Sequence, residues 1–217
     1  MARVRDIGID EVPEDAKPVY QRFADEYGPF LNQVKIFAHR PIALRHLMGM
    51  LLEMADNPIL DKRHLEIAIV TVSAINRCDY CVAHHGPRLL DFGLPRAVID
   101  RILDEDCPGL DPVDRMVRDY AAQVTRDHNR VGDRQFDELR AHFSETQIVE
   151  LTLRITLCTF FNKFNDVMML EMEDEAAIFH HETAKPADQG VNPSNYTHKR
   201  SDDRDTSDCF LGSRFLC

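Results

Sequence analysis

The sequence predicts an all-α protein. Apolar residues recur at helical spacing in one segment after another, the breaks fall at Gly and Pro pairs, and no run alternates apolar and polar residues as a half-buried strand would. A chain of 217 residues with 44% hydrophobic residues is long enough for one well-packed domain.

The first expected helix runs from Val12 to Tyr27, opened by Pro13 and acidic residues and stopped by Gly28-Pro29. The second, Ile42 to Ala55, is Met-rich and ends before Asn57-Pro58. In the third, Asp61 to Ala74, Leu65, Ala68, Ile69 and Val72 make one stripe. Its β-branched run Ile67 to Val72 also suits a strand, but no alternating partner strand exists for it. The fourth helix carries two cysteines and is expected to break at Gly86-Pro87, because proline removes the hydrogen bond to Ala83.

Gly93-Leu94-Pro95 breaks the chain before a short helix, Arg96 to Asp104, and Cys107-Pro108-Gly109 forms a loop. Asp111-Pro112 starts a helix to about His128, and Asp133 to His142 is short and amphipathic. Ser144-Glu145-Thr146-Gln147 reads as a capping box and launches the longest helix, to about Met172. One stripe of that helix is Ile148, Leu151, Ile155 and Cys158; another is Val149, Leu153, Phe160, Phe164 and Val167. A helix with so little polar face is expected inside the domain or between subunits. From about Lys185 the composition turns to Pro, Asn, Ser, Asp and Lys. The expected organisation is an N-terminal extension (1–11), a helical domain (12–182) and a polar, disordered tail (183–217).

The net charge of −11 argues against nucleic acid or an anionic membrane surface as the main partner. Leu151 to Phe161, the most apolar stretch, contains Arg154 and is too short to span a bilayer. Met1 to Asp6 runs into acidic, Pro-containing sequence with no apolar signal core. A cytoplasmic location is expected. In a reducing compartment a close cysteine pair is more often catalytic or metal-binding than a structural staple.

That pair is Cys78 and Cys81, followed by His85 and preceded by Glu66. Cys78, Cys81 and His85 fall on one helical face. Only a thiolate attacks a peroxide or a disulfide, and a helix start, a nearby imidazole or a proton relay each promote that form. His85 can share the Cys81 proton, and Glu66 can hold His85 in one tautomer or relay a proton. Once one sulfur is oxidised, the other can condense with it. The same four residues could instead bind zinc, although structural zinc sites usually bring a second Cys/His pair. His84 points about 100° away from His85 on an ideal helix and is expected at the surface or in packing. Tyr80 is expected to be a partly buried aromatic that donates a hydrogen bond into the site. Cys107 and Cys158 read as structural, and Cys209 and Cys217 lie in the tail.

At these residues the chain resembles the carboxymuconolactone decarboxylase superfamily, in its AhpD-like alkyl hydroperoxidase branch. That branch carries Glu, eleven residues, Cys-x-x-Cys, three residues, His, and Glu66, Cys78, Cys81 and His85 match without a gap. Gly93 to Leu103 resembles the family's next helix, and Phe161 to Asp166 the asparagine-containing end of its long helix. The resemblance covers roughly Val12 to Glu173. It implies an AhpD-like helical bundle, usually a homotrimer or hexamer, that reduces peroxides through the cysteine pair with no metal, flavin or other cofactor. It further implies that Cys81 becomes the sulfenic acid, Cys78 resolves it, and Glu66 with His85 relays protons. A lipoyl- or thioredoxin-like donor would regenerate the pair. Two positions depart from the family pattern. Tyr80 stands where the best-studied members have histidine and cannot act as a base at neutral pH, and Gly86-Pro87 should kink the helix beside His85.

Three functions follow: a thiol peroxidase or disulfide reductase acting on organic hydroperoxides or H2O2; a cofactor-free lactone decarboxylase with Arg88, Arg45 or Arg154 as carboxylate clamp; and a non-catalytic zinc-binding module.

Overall fold

The computed structural model describes residues 2–26, 30–174 and 176 of the chain. Every regular element among them is helical, as the periodicity predicts. The helices are α1 (Lys17–Glu26), α2 (Leu31–Phe37), α3 (Pro41–Ala43), α4 (Gly49–Asp56), α5 (Lys62–Asn76), α6 (Asp79–Asp91), α7 (Arg96–Asp100), α8 (Pro112–Asp127), α9 (Asp133–Arg140) and α10 (Glu145–Met168). A π-helical segment, Leu44–Met48, joins α3 to α4. None of these helices is long and apolar enough to cross a membrane. The stop at Gly28-Pro29 and the tail with Cys209 and Cys217 lie outside the described residues.

Side-chain caps set several boundaries. Asp61 accepts from the Arg63 amide at 2.8 Å and starts α5. Asp111 and Asp114 form a reciprocal box at the head of α8, and Ser144 and Gln147 form one at the head of α10.

The first helix begins at Lys17, five residues later than expected. Pro13 holds Val12 in extended backbone (φ −84°, ψ 136°), because the residue before a proline is pushed out of the helical region. A 3₁₀ turn, Ile9–Glu11, occupies the segment before it. Helix α2 was not expected. It is seven residues long and its N-cap makes no side-chain bond, so neither periodicity nor capping marks it. The 67–72 segment is helical, and every residue from Glu66 to Ser73 is buried.

The expected break at Gly86-Pro87 does not occur: α6 runs through Pro87 to Asp91. The clash that drives the residue before proline out of a helix involves that residue's Cβ, and Gly86 has none. The helix then ends where Gly93 adopts φ +76°. Helix α7 stops at Asp100 rather than Asp104, and α10 stops where Met169 turns left-handed at φ +53°.

Helix α5 lies at the centre, packed by α6, α8 and α10. One apolar core gathers Ile67, Val70, Leu89, Tyr120, Leu139, Leu151 and Ile155 from α5 to α10. A second joins Tyr20, Phe23, Val34, Phe37, Leu44, Met48 and Leu52 of the N-terminal helices to Phe161 and Phe164 of α10. Each fully buried large side chain contributes about 1.5–3 kcal/mol. Only one stripe of α10 is buried within the chain: Ile148, Leu151, Ile155 and Cys158. Phe164 stacks on Phe37 at 4.4 Å, but Val149, Phe160 and Val167 are 67%, 45% and 58% exposed.

Candidate active site

The turn between α5 and α6 positions the cysteines. Arg77 caps α5 in the left-handed region (φ 57°), and the Cys78 amide reaches back to the Ser73 carbonyl at 3.0 Å. Cys78 thereby becomes the N-cap of α6, and Cys81 falls in its first turn among unpaired backbone N–H groups. The two sulfurs are 2.9 Å apart, with Cys78 as donor. That hydrogen bond, together with burial, raises Cys78 well above the usual thiol range.

Asn165 of α10 also donates to the Cys81 sulfur, at 3.4 Å. Its amide is oriented by Gln33 of α2, which donates to Asn165 Oδ1 at 2.9 Å and leaves the amide nitrogen for sulfur. Two donors thus converge on Cys81, the arrangement a thiolate accepts.

Helical spacing puts His85 one turn beyond Cys81, and packing of α6 on α5 brings it to Glu66. His85 Nδ1 lies 2.7 Å from Glu66 Oε2, and Arg88 Nη1 donates to Oε1 at 2.9 Å. Burial pushes Glu66 up, but the charges and hydrogen bonds of His85 and Arg88 outweigh it and hold the carboxyl at about 2. An ionised carboxylate only accepts, so Nδ1 carries the ring proton. Burial pushes the imidazole down, against the pull of Glu66, and Arg88 adds to the downward push. In that neutral tautomer Nε2 holds a lone pair. No described residue hydrogen-bonds to Nε2.

Cys81, His85, Glu66, Arg88 and Asn165 line a half-open cavity of about 470 Å³ whose apolar wall includes Phe30 and Phe161. Cys78 does not line it and is fully buried. Of the possible carboxylate clamps, Arg88 and Arg154 line this cavity and Arg45 does not. Among the described residues, no three His, Cys, Asp or Glu side chains are grouped to hold a metal ion.

The other face of α6 carries a second cluster. His84 is buried, not at the surface: Nε2 lies 2.7 Å from Glu173 Oε2 and Nδ1 lies 2.5 Å from the Tyr80 carbonyl. The Tyr80 hydroxyl donates to Glu173 at 3.2 Å, so it points away from the sulfurs, and Glu173 also accepts from the Asn32 amide at 2.8 Å. Burial and then the Glu173 charge raise the Tyr80 phenol. The segment after α10 is thereby clasped over the cysteines, with Leu170 and Met172 packed on Phe30, Cys78, Tyr80 and Cys81. Cys158, a structural cysteine in the sequence reading, is buried 3.4 Å from Ser73 Oγ, and burial pushes its thiol up to about 12.

The structure therefore brings Glu66, Cys78, Cys81 and His85 together. Sequence reasoning gave no role to Gln33, Asn165 or Glu173 and took Arg88 only as a clamp. Asn165 lies in the segment already likened to the family's long helix; Gln33 and Glu173 carry no local signal.

Helices around a buried cysteine pair beside a carboxylate–histidine pair define a class: all-α proteins with a dithiol centre. Residues 41–111 match the model of the carboxymuconolactone decarboxylase family. Among solved structures, an uncharacterized peroxidase-related protein of Ralstonia eutropha JMP134, described as an alkylhydroperoxidase AhpD core, superposes with TM-score 0.71 at 23% identity, over 82% of this chain and 96% of that one. An uncharacterized peroxidase-related protein of Silicibacter sp. TM1040 gives TM-score 0.68 at 21% identity, over 83% and 95%. A cysteine-to-alanine variant of the debrominase Bmp8, in complex with 2,3,4-tribromopyrrole, gives 0.67 at 17%, over 85% and 100%. No curated protein matches the chain in sequence. The chain belongs to the carboxymuconolactone decarboxylase superfamily and has the AhpD-like fold.

Proposed function

We propose that this protein is a thiol peroxidase that reduces organic hydroperoxides or H2O2 through Cys81 and Cys78. The observation that carries the reading is the pair itself: two sulfurs 2.9 Å apart, of which only Cys81 lines the cavity. His85 takes the Cys81 proton, and the thiolate attacks one peroxide oxygen. The O–O bond breaks, Cys81 becomes a sulfenic acid, and the departing alkoxide takes the proton back from His85. Cys78 then attacks the sulfenic sulfur, water leaves, and a Cys78–Cys81 disulfide remains. A lipoyl- or thioredoxin-like dithiol reduces it by exchange. The exposed stripe of α10 supports self-association, as a trimer or hexamer.

The test is peroxide consumption with a dithiol donor, together with peptide mass spectrometry after one equivalent of cumene hydroperoxide. The parent should form the Cys78–Cys81 disulfide, and Cys81→Ser should lose turnover. A Cys81→Ser protein as active as the parent excludes the reading.

A second reading keeps the dithiol and changes the oxidant. The fold likeness to a debrominase and the aromatic wall of the cavity favour a halogenated aromatic, which the pair would reduce to the parent ring with release of halide and formation of the same disulfide. Disulfide formed with 2,3,4-tribromopyrrole but not with hydroperoxide would select it.

A further inference from the structure

Closing a disulfide requires that Cys78 lose its proton, yet Cys78 has no exposed surface, does not line the cavity and is locked as donor to Cys81. His85, paired to Glu66 on the cavity side, serves the other sulfur. The end of α10 supplies what is missing. Its consecutive residues address one sulfur each: Asn165 donates to Cys81 at 3.4 Å, and the Asp166 carboxylate is in hydrogen-bond contact with Cys78. Asp166 is exposed. It therefore joins a fully buried thiol to solvent. The helix end is pinned, since Arg3 bonds the Val167 carbonyl through its guanidinium and the Met168 carbonyl through its amide, both at 2.9 Å.

We propose that Asp166 is the catalytic base for the resolving sulfur: it takes the Cys78 proton as the disulfide closes and returns it when the pair is reduced. This rests on the dithiol chemistry proposed above. In the closing step the Cys78–H bond breaks toward Asp166, the Cys78–Cys81 bond forms, the Cys81–O bond breaks, and the leaving hydroxide becomes water with the proton that Asp166 releases to solvent. The groups facing Asp166 are Cys78 and Asp79 of α6, with the Arg3 guanidinium on the neighbouring carbonyl. Burial raises Asp166 above the ordinary carboxylate range, the Cys78 hydrogen bond opposes that, and the Asp79 charge adds to it. A carboxylate made more basic in this way is better matched to a thiol proton.

The test isolates ring closure from peroxide chemistry. S-methyl methanethiosulfonate places a methylthio group on Cys81; Cys78 then attacks, methanethiol leaves, and mass spectrometry follows loss of the adduct. Asp166→Asn should slow closure by about 10²-fold, the usual share of one general base, and should lose the rise with pH that the parent shows. Asp166→Glu should retain that rise and recover part of the rate. Closure by Asp166→Asn at the parent rate and with the parent pH profile overturns the proposal, and so does a parent that keeps the adduct. A parent that closes from the methylthio adduct but not after cumene hydroperoxide leaves Asp166 its role and removes the peroxidase reading.

Discussion

His84 and His85 each place a ring nitrogen 2.7 Å from a glutamate, Glu173 for the first and Glu66 for the second. They are adjacent in one helix, and the Phe30 ring lies beside both, at 4.8 and 5.3 Å between centroids. The two pairs differ in what the remaining nitrogen meets. Both His84 nitrogens are occupied, so the pair clasps the segment after α10 to α6. His85 spends one nitrogen on Glu66 and lines the cavity with Cys81. Glu66 also has a second cation, Arg88, which secures its charge without taking a proton. A carboxylate–histidine contact alone therefore does not mark a catalytic base; the nitrogen left over does.

The largest expected effect comes from Glu66→Gln, which removes the acceptor that fixes the His85 tautomer and leaves Arg88 without its partner. Peroxide turnover should fall by about 10³–10⁴-fold, the scale seen when a histidine base loses its orienting carboxylate, and stability should fall by about 2 kcal/mol. Glu173→Gln should do the reverse. Chemical denaturation should show a loss of about 1–2 kcal/mol, while turnover stays within about threefold of the parent, because the site keeps both sulfurs, His85 and Glu66. Equal losses of turnover in the two variants would break the distinction between the histidines.

The smallest effect concerns pH. Glu66 is held below its ordinary 4.5, so its stabilisation is complete above that value and is lost as pH falls toward about 2. His85 is depressed below 6.5, so the unfolded chain takes up that proton first, and stability begins to decline as pH falls through 6.5. The folded base, however, stays neutral there. Turnover at about pH 5.5 should remain close to its neutral-pH value, where an ordinary imidazole would cost about tenfold. A pH–rate profile that breaks at 6.5 would contradict the depressed His85.

Much of this was legible in the chain because it is local. Asp61, Asp111 and Ser144 mark helix starts by their own side chains, and the spacing of Cys78, Cys81 and His85 is helical geometry written in sequence. What was not legible depends on contacts between distant segments. Gln33, Asn165 and Glu173 reach the site from α2, α10 and beyond, and nothing near them in sequence announces it. Gly86-Pro87 was read from proline alone, when the missing Cβ of the residue before it allows the helix to continue. His84 was placed by angle relative to His85, which located its face but not the glutamate that arrives there from the C-terminal side.

The central claim is that Cys81 is the sulfur that meets the oxidant. The direct measurement uses Cys78→Ser protein, which cannot close the disulfide, treated with one equivalent of cumene hydroperoxide in the presence of dimedone and mapped by peptide mass spectrometry. The account predicts a dimedone adduct on Cys81, with Cys107 and Cys158 unmodified. An unmodified Cys81, or an adduct on another cysteine in its place, would contradict it.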